Sequence, residues 1–149
     1  MMALREMLLA LRSTKEMVPG IPVMATMTFE ETPKYYFTIM GDMIEKTSCE
    51  LKETGADVIG SNCGNGIEGM IRIAREFRRY TTLPLIIQSN AGLPIIEPEK
   101  LVYPESPEFM TKKAKELIDA GVSVIGGGYG TSPAHIRVIR NSISTMGLR

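Results

Sequence analysis

The strongest constraint in this sequence is a motif that it uses twice. Glu50-Leu51, Gly55, Val58-Ile59-Gly60 and Gly64 recur 66 residues later as Glu116-Leu117, Gly121, Val124-Ile125-Gly126 and Gly130. Each copy reads as the end of a helix, a glycine that stops it, a short β-branched strand and a glycine turn. The offset holds two steps of about 33 residues each, the size of a strand–helix–strand unit. A second echo, Ile21-Pro22-Val23 against Leu83-Pro84-Leu85, places two further strands in the same relation. Repeated units of this kind build a parallel α/β sheet or a barrel.

The punctuation fills in the units. Residues 5–17 read as a helix with Leu8, Leu9 and Leu11 on its apolar side, stopped by Pro19-Gly20. Residues 21–29 read as a buried strand, 36–54 as a long amphipathic helix, 56–61 as a strand and 66–80 as a helix carrying Arg72, Arg75, Arg78 and Arg79. The spacing of those arginines marks a solvated face. Residues 83–89 are a third strand, followed by a loop over 90–107 that holds four of the nine prolines. Ser106-Pro107 opens a helix to residue 120, residues 122–126 form a fourth strand, and Ser132-Pro133 opens a last helix to about residue 143.

A closed barrel of eight strand–helix units takes about 250 residues, and this chain has 149. The expected fold is α/β: half of a (β/α)8 TIM barrel, an N-terminal helix followed by four β–α units with parallel strands. Residues 1–149 would then make a single partial domain. A half-barrel exposes two edge strands and the side chains meant for the barrel interior. The expected partners are therefore a second copy, giving a homodimer, or a complementary N-terminal half-barrel. The alternative is a small open sheet with helices on both faces.

Composition narrows the function. Seventeen Lys plus Arg balance seventeen Asp plus Glu, so no positive field gathers nucleic acid or anionic lipid. The longest apolar runs, such as Pro84 to Ile87, fall far short of a membrane span, and a cytoplasmic protein is expected. Two cysteines and one histidine limit metal chemistry.

In parallel α/β folds ligands sit where strands lead into helices, here the loops 26–30, 62–66, 89–92 and 127–131. Gly126-Gly127-Gly128-Tyr129-Gly130-Thr131 before a helix start reads as a phosphate or carboxylate cradle. Cys63 follows a strand and precedes a helix, where the dipole favours thiolate; it reads as a nucleophile, a metal ligand or a small residue in a tight turn. Cys49 reads as structural, and His135 as a packing or helix-start residue.

Taken together, residues 55–64, Gln88-Ser89-Asn90-Ala91-Gly92-Leu93-Pro94 and residues 126–136 resemble the homocysteine S-methyltransferase family. This is the homocysteine-binding barrel of cobalamin-dependent methionine synthase and of the betaine and S-methylmethionine enzymes. Residues 23–29 with 38–41 look like that family's fifth strand and its loop, so the resemblance spans the C-terminal half of the barrel. It implies one zinc held by three cysteines, which lowers the pKa of a substrate thiol. Cys63 matches the first ligand. Gly128 and Tyr129 stand where the family has its cysteine pair, and His135 stands at a family histidine.

One thiolate does not hold a catalytic zinc, which needs three protein ligands, so the zinc site is expected to be degenerate. The resemblance places Asn62 and Cys63 against a small thiol or methyl donor, with Asn90, Gly127, Gly128, Tyr129 and Gly130 lining the pocket. Tyr129 then replaces a ligand by a hydrogen-bond donor. Cobalamin or folate would act only through a separate protein or domain, such as a corrinoid protein. Three readings follow: a methyltransferase-family module, a non-catalytic binding subunit or remnant of a split barrel, and a phosphate-binding α/β protein using residues 126–130.

Overall fold

Short β-branched segments bounded by glycine and proline become four parallel strands because each is followed by an amphipathic stretch long enough to cross back. The computed structural model describes residues 1–98 and 100–145. Helix α1 (Leu4–Met17) precedes β1 (Met24–Met27), a hairpin of β2 (Glu30–Glu31) and β3 (Tyr36–Phe37), and α2 (Ile44–Glu53). Next come β4 (Val58–Asn62), α3 (Ile67–Tyr80) and β5 (Leu85–Ser89). A second hairpin, β6 (Ile95–Glu97) and β7 (Lys100–Val102), leads to α4 (Pro107–Asp119), β8 (Val122–Gly127) and α5 (Pro133–Thr145). The main sheet runs β1-β4-β5-β8, every pair parallel.

The pleat divides this sheet into two unlike faces. Ala25, Met27, Ile59, Leu85, Ile87 and Val122 point at the helices and are buried in one cluster with Leu4, Leu11, Leu51, Phe77 and Leu117. The alternate row lies outside that core: Met24 is 56 % and Val124 37 % exposed at its edges, with Ile86 at 8 % in the centre. The open sheet covered on both faces is therefore not what forms. In the middle of this second face, strands β4 and β5 approach so closely that a Cβ on Gly60 would lie 1.8 Å from the Ile86 carbonyl oxygen.

Two expected elements change. The helix over 36–54 begins only at Ile44, because Gly41 takes φ +85 and residues 38–42 close a turn through Gly41 N–H to Thr38 O (2.8 Å) and Asp42 N–H to Thr38 Oγ1 (3.1 Å). Tyr36 and Phe37 pair with Glu31 and Glu30 instead. The loop over 90–107 contains the β6–β7 hairpin, with Ile95 opposite Val102 and Glu97 opposite Lys100.

The α3 arginines are also not merely a solvated face. Arg72 clamps Glu31 with two bonds of 2.6 Å, tying the first hairpin to α3 and holding the Glu31 carboxyl below its ordinary pKa. Arg78 donates to the carbonyls of Thr81 and Gly121, both at 2.9 Å, and so joins the ends of α3 and α4.

Glu105 knits the loops at the strand ends. Its Oε2 accepts from Ile67 N–H (3.0 Å) in the first turn of α3, its own N–H reaches Ala91 O (3.0 Å), and its carbonyl accepts from His135 Nε2 (3.0 Å) at the start of α5. A carboxylate is favoured at a helix N-terminus, yet burial outweighs that here and pushes the Glu105 carboxyl above its ordinary pKa.

Two outcomes follow from this packing. Gly60→Ala should lower the unfolding free energy by about 2 kcal/mol, within the range for overpacked cores, as read by urea denaturation. A stability equal to the parent's would mean that β4 and β5 are not held this close. Glu105→Ala should cost about 1 kcal/mol, the usual worth of a helix cap, while Glu105→Gln keeps an acceptor for Ile67. Because the folded pKa is raised, the stability contributed by the protonated carboxyl is complete below the ordinary glutamate range. It is lost as pH rises through the raised value. Denaturation across that window should show a slope in the parent that Glu105→Gln removes.

Candidate functional site

All four parallel strands end at the same side of the sheet, so their loops converge. Asn62, the last residue of β4, pairs in register with Gln88 of β5, which in turn pairs with Gly126 of β8. Above them opens a cleft of ≈ 350 Å³ lined by Asn62, Cys63, Gln88, Gly127, Gly128 and Tyr129. Five of these were expected from the sequence. Gln88 was not singled out, although it occupies the alternate row two residues beyond Ile86, a position that only the register reveals.

Cys63 is half-buried and sits at φ +61, a left-handed conformation costly for a non-glycine residue. It is held there by its N–H to Gln88 O (3.1 Å) and followed by Gly64, also left-handed. The helix end offered to Cys63 by the sequence is taken elsewhere: the carboxylate at the N-terminus of α3 is Glu105. Asn62 keeps its Oδ1 buried with no hydrogen-bond partner among the described residues.

Asn90, expected in the lining, lies behind it and ties its parts together. It is 5 % exposed, accepts from Tyr129 N–H at Oδ1 (3.0 Å) and directs Nδ2 to Cys63 Sγ (3.9 Å). Its N–H bonds Asn65 O (3.1 Å), whose side chain in turn reaches Phe29 O (2.8 Å). A Cβ at Gly128 would lie 2.5 Å from Asn90 Oδ1, so the amide tip fills the place where a side chain at 128 would start. Tyr129 is 65 % exposed and forms the rim. Gly130 is not part of the cleft lining; it backs onto the Tyr103 ring, 2.1 Å from where its Cβ would be.

Hydrogen bonds within the turn weigh against the phosphate-cradle expectation. The N–H groups of Gly128, Tyr129, Thr131 and Ser132 already donate to Ser89 O (2.7 Å), Asn90 Oδ1 (3.0 Å), Gly128 O (3.2 Å) and His135 Nδ1 (3.0 Å). No lysine or arginine lines the cleft. An anion would find no cation in the lining, and most amides of this turn already paired. His135 is buried: Nδ1 accepts from Ser132, so Nε2 carries the proton donated to Glu105 O. Cys49 is exposed on α2 with its thiol against Glu53 (3.4 Å), not a core residue.

Comparison with known proteins agrees with this geometry. The chain is 32% identical over 127 residues to methionine synthase from Mycobacterium tuberculosis and 30% identical over 125 residues to that from Mycobacterium leprae. These matches cover 85% and 83% of the chain and 10% of each relative, so the chain spans about a tenth of their length. In fold it is similar to the homocysteine methyltransferase MmuM from Escherichia coli. The apo form gives a TM-score of 0.72 at 17% identity, over 95% of this chain and 46% of that one. The metallated form gives 0.66 at 18% identity, over 90% and 40%. The four strands and their helices are thus about half of that fold, as the half-barrel expectation required. Residues 1–143 match the homocysteine S-methyltransferase family, and the chain belongs to that family.

Proposed function

We propose that this chain is a methyltransferase-family module that binds a small thiol or methyl donor in the cleft at the strand ends. The observation that carries this reading is the cleft itself. It is neutral, lined by amides, a thiol and a phenol, and Asn62 Oδ1 stands buried there without a donor. Tyr129 offers its hydroxyl at the rim, and Asn90 holds both the Cys63 thiol and the Tyr129 backbone in place.

The residues present do not fit the family's zinc. Cys63 is one thiol, Gly128 has no side chain and the Asn90 amide stands in its way. Among the described residues no three His, Cys, Asp or Glu side chains converge. The proposed role is therefore metal-free binding and orientation. Methyl transfer to a thiol, or to and from a corrinoid protein, would use groups that a partner supplies. Cobalamin or folate would come from a separate protein or domain. A non-catalytic binding subunit of a split barrel is the second reading, favoured by the same loss of ligands. In both, residues 1–149 act as one partial domain in the cytoplasm. Among the described residues no helix is long and apolar enough to cross a membrane.

Calorimetric titration with L-homocysteine and L-methionine, with inorganic phosphate as control, tests this reading. One of the amino acids should bind and phosphate should not. Cys63→Ala and Tyr129→Phe should each weaken binding roughly tenfold, the equivalent of about 1.4 kcal/mol for one lost contact. Binding unchanged in both variants would place the ligand elsewhere.

A further inference from the structure

A second cavity, of ≈ 240 Å³, shares no residue with the cleft. The first hairpin gives it Lys34, Tyr35 and Tyr36, the start of α2 gives Glu45, and the last turns of α3 give Glu76, Arg79 and Tyr80. Three of the five tyrosines of the chain meet here, so the walls are largely aromatic. The elements that carry them are tied to one another. Arg72 clamps Glu31 of β2 to α3, and Phe37 of β3 bridges to Met43 at the head of α2. The Thr32 hydroxyl closes the hairpin turn, accepting from Tyr35 N–H (3.1 Å) and donating to Tyr35 O (2.8 Å). A cavity between tied elements is pre-formed, and a ligand entering it orders little of the protein.

The charges around it divide into a closed pair and an open one. Arg79 Nη1 donates to Glu76 Oε2 (2.9 Å), and the guanidinium lies 5.6 Å from the centre of the Tyr80 ring. That cation already has its carboxylate and its aromatic face. Lys34 and Glu45 are exposed, and neither has an ion-pair partner among the described residues. One open ammonium and one open carboxylate at a tyrosine-walled cavity suit a zwitterion. A simple anion would meet Glu45 and Glu76 beside Lys34, and a simple cation would meet Lys34 and Arg79 beside Glu45. The volume falls below the roughly 300–1,000 Å³ of sites for drug-sized ligands, which excludes a nucleotide and leaves room for an amino acid.

We infer that this cavity is a binding site for a free aromatic α-amino acid, with its carboxylate on Lys34, its ammonium on Glu45 and its ring among Tyr35, Tyr36 and Tyr80. The ring of the ligand packs against tyrosine rings edge-to-face or offset, a gain beyond burial that an aliphatic side chain lacks. Both charged ends are needed, because either alone leaves one like charge at the rim unanswered. The site stands apart from the ligand proposed for the cleft and does not rest on that reading.

Calorimetric titration of the whole chain with L-phenylalanine tests the site. Two further probes, 2-phenylethylamine and 3-phenylpropanoate, keep the ring and lose one charged end each. L-Phenylalanine should bind, and each of the other two should bind roughly fivefold more weakly, the most that an exposed ion pair is usually worth. Lys34→Met should remove the preference over 2-phenylethylamine, which has no carboxylate for Lys34 to hold. Glu45→Gln should likewise remove the preference over 3-phenylpropanoate. Both residues are exposed, so circular dichroism of the variants should match the parent. Cys63→Ala, in the cleft, should leave L-phenylalanine binding unchanged. The inference is overturned if L-phenylalanine does not bind at millimolar concentration, or if 2-phenylethylamine binds the parent as tightly. Preferences indifferent to Lys34→Met and Glu45→Gln would overturn it too, and loss of binding in Cys63→Ala would move the ligand to the cleft.

Discussion

Parallel strands cannot be joined by tight turns, and this requirement shapes the whole molecule. Each return to the start of the sheet needs a crossover that carries a helix, and the shared handedness of such crossovers puts the helices on one side. The buried row from Ala25 to Val122 exists because α1 to α5 lie over it, and the row from Met24 to Val124 lies outside that core for the same reason. Uniform strand direction also gathers every strand end, and with it every strand-to-helix loop, at one side. The cleft is a consequence of the topology before it is a consequence of any particular side chain.

The loops at that end would be loosely placed if they were independent. They are instead cross-tied by two polar residues working through both side chain and backbone. Glu105 joins the first turn of α3, the turn after β5 and the start of α5; Asn90 joins Cys63, Asn65 and Tyr129. These bonds occupy the amides of Ile67 and Tyr129 and hold the loops around Cys63 beside an open pocket. The result is a rigid, neutral site whose polar groups are mostly paired, with Asn62 Oδ1 left without a partner.

The 127–130 turn is held from the end of β5. A Cβ at Gly128 would lie 2.5 Å from Asn90 Oδ1, and the same oxygen accepts from Tyr129 N–H (3.0 Å). Glycine at 128 thus leaves room for the amide that ties this turn to the neighbouring loop.

The repeat of Glu50 to Gly64 in Glu116 to Gly130, the β-branched segments and the glycine stops determined the strand–helix order, the parallel sheet and the half-barrel, because local propensity and periodicity act within one element. The placement of Asn62, Cys63 and residues 127–129 around the cleft was legible for the same reason: they sit at strand ends. Tertiary structure alone decided the rest. Gln88 joined the cleft through strand register, Arg72 and Arg78 became ties through contacts with distant residues, and Glu105 became a hinge point between three loops. Gly41 broke an amphipathic stretch whose periodicity was otherwise helical, and Tyr36 and Phe37 went to a hairpin that only Glu30 and Glu31 could complete. Each of these depends on partners far away in the chain, and hydrogen bonds across such separations leave no periodic trace in a single sequence.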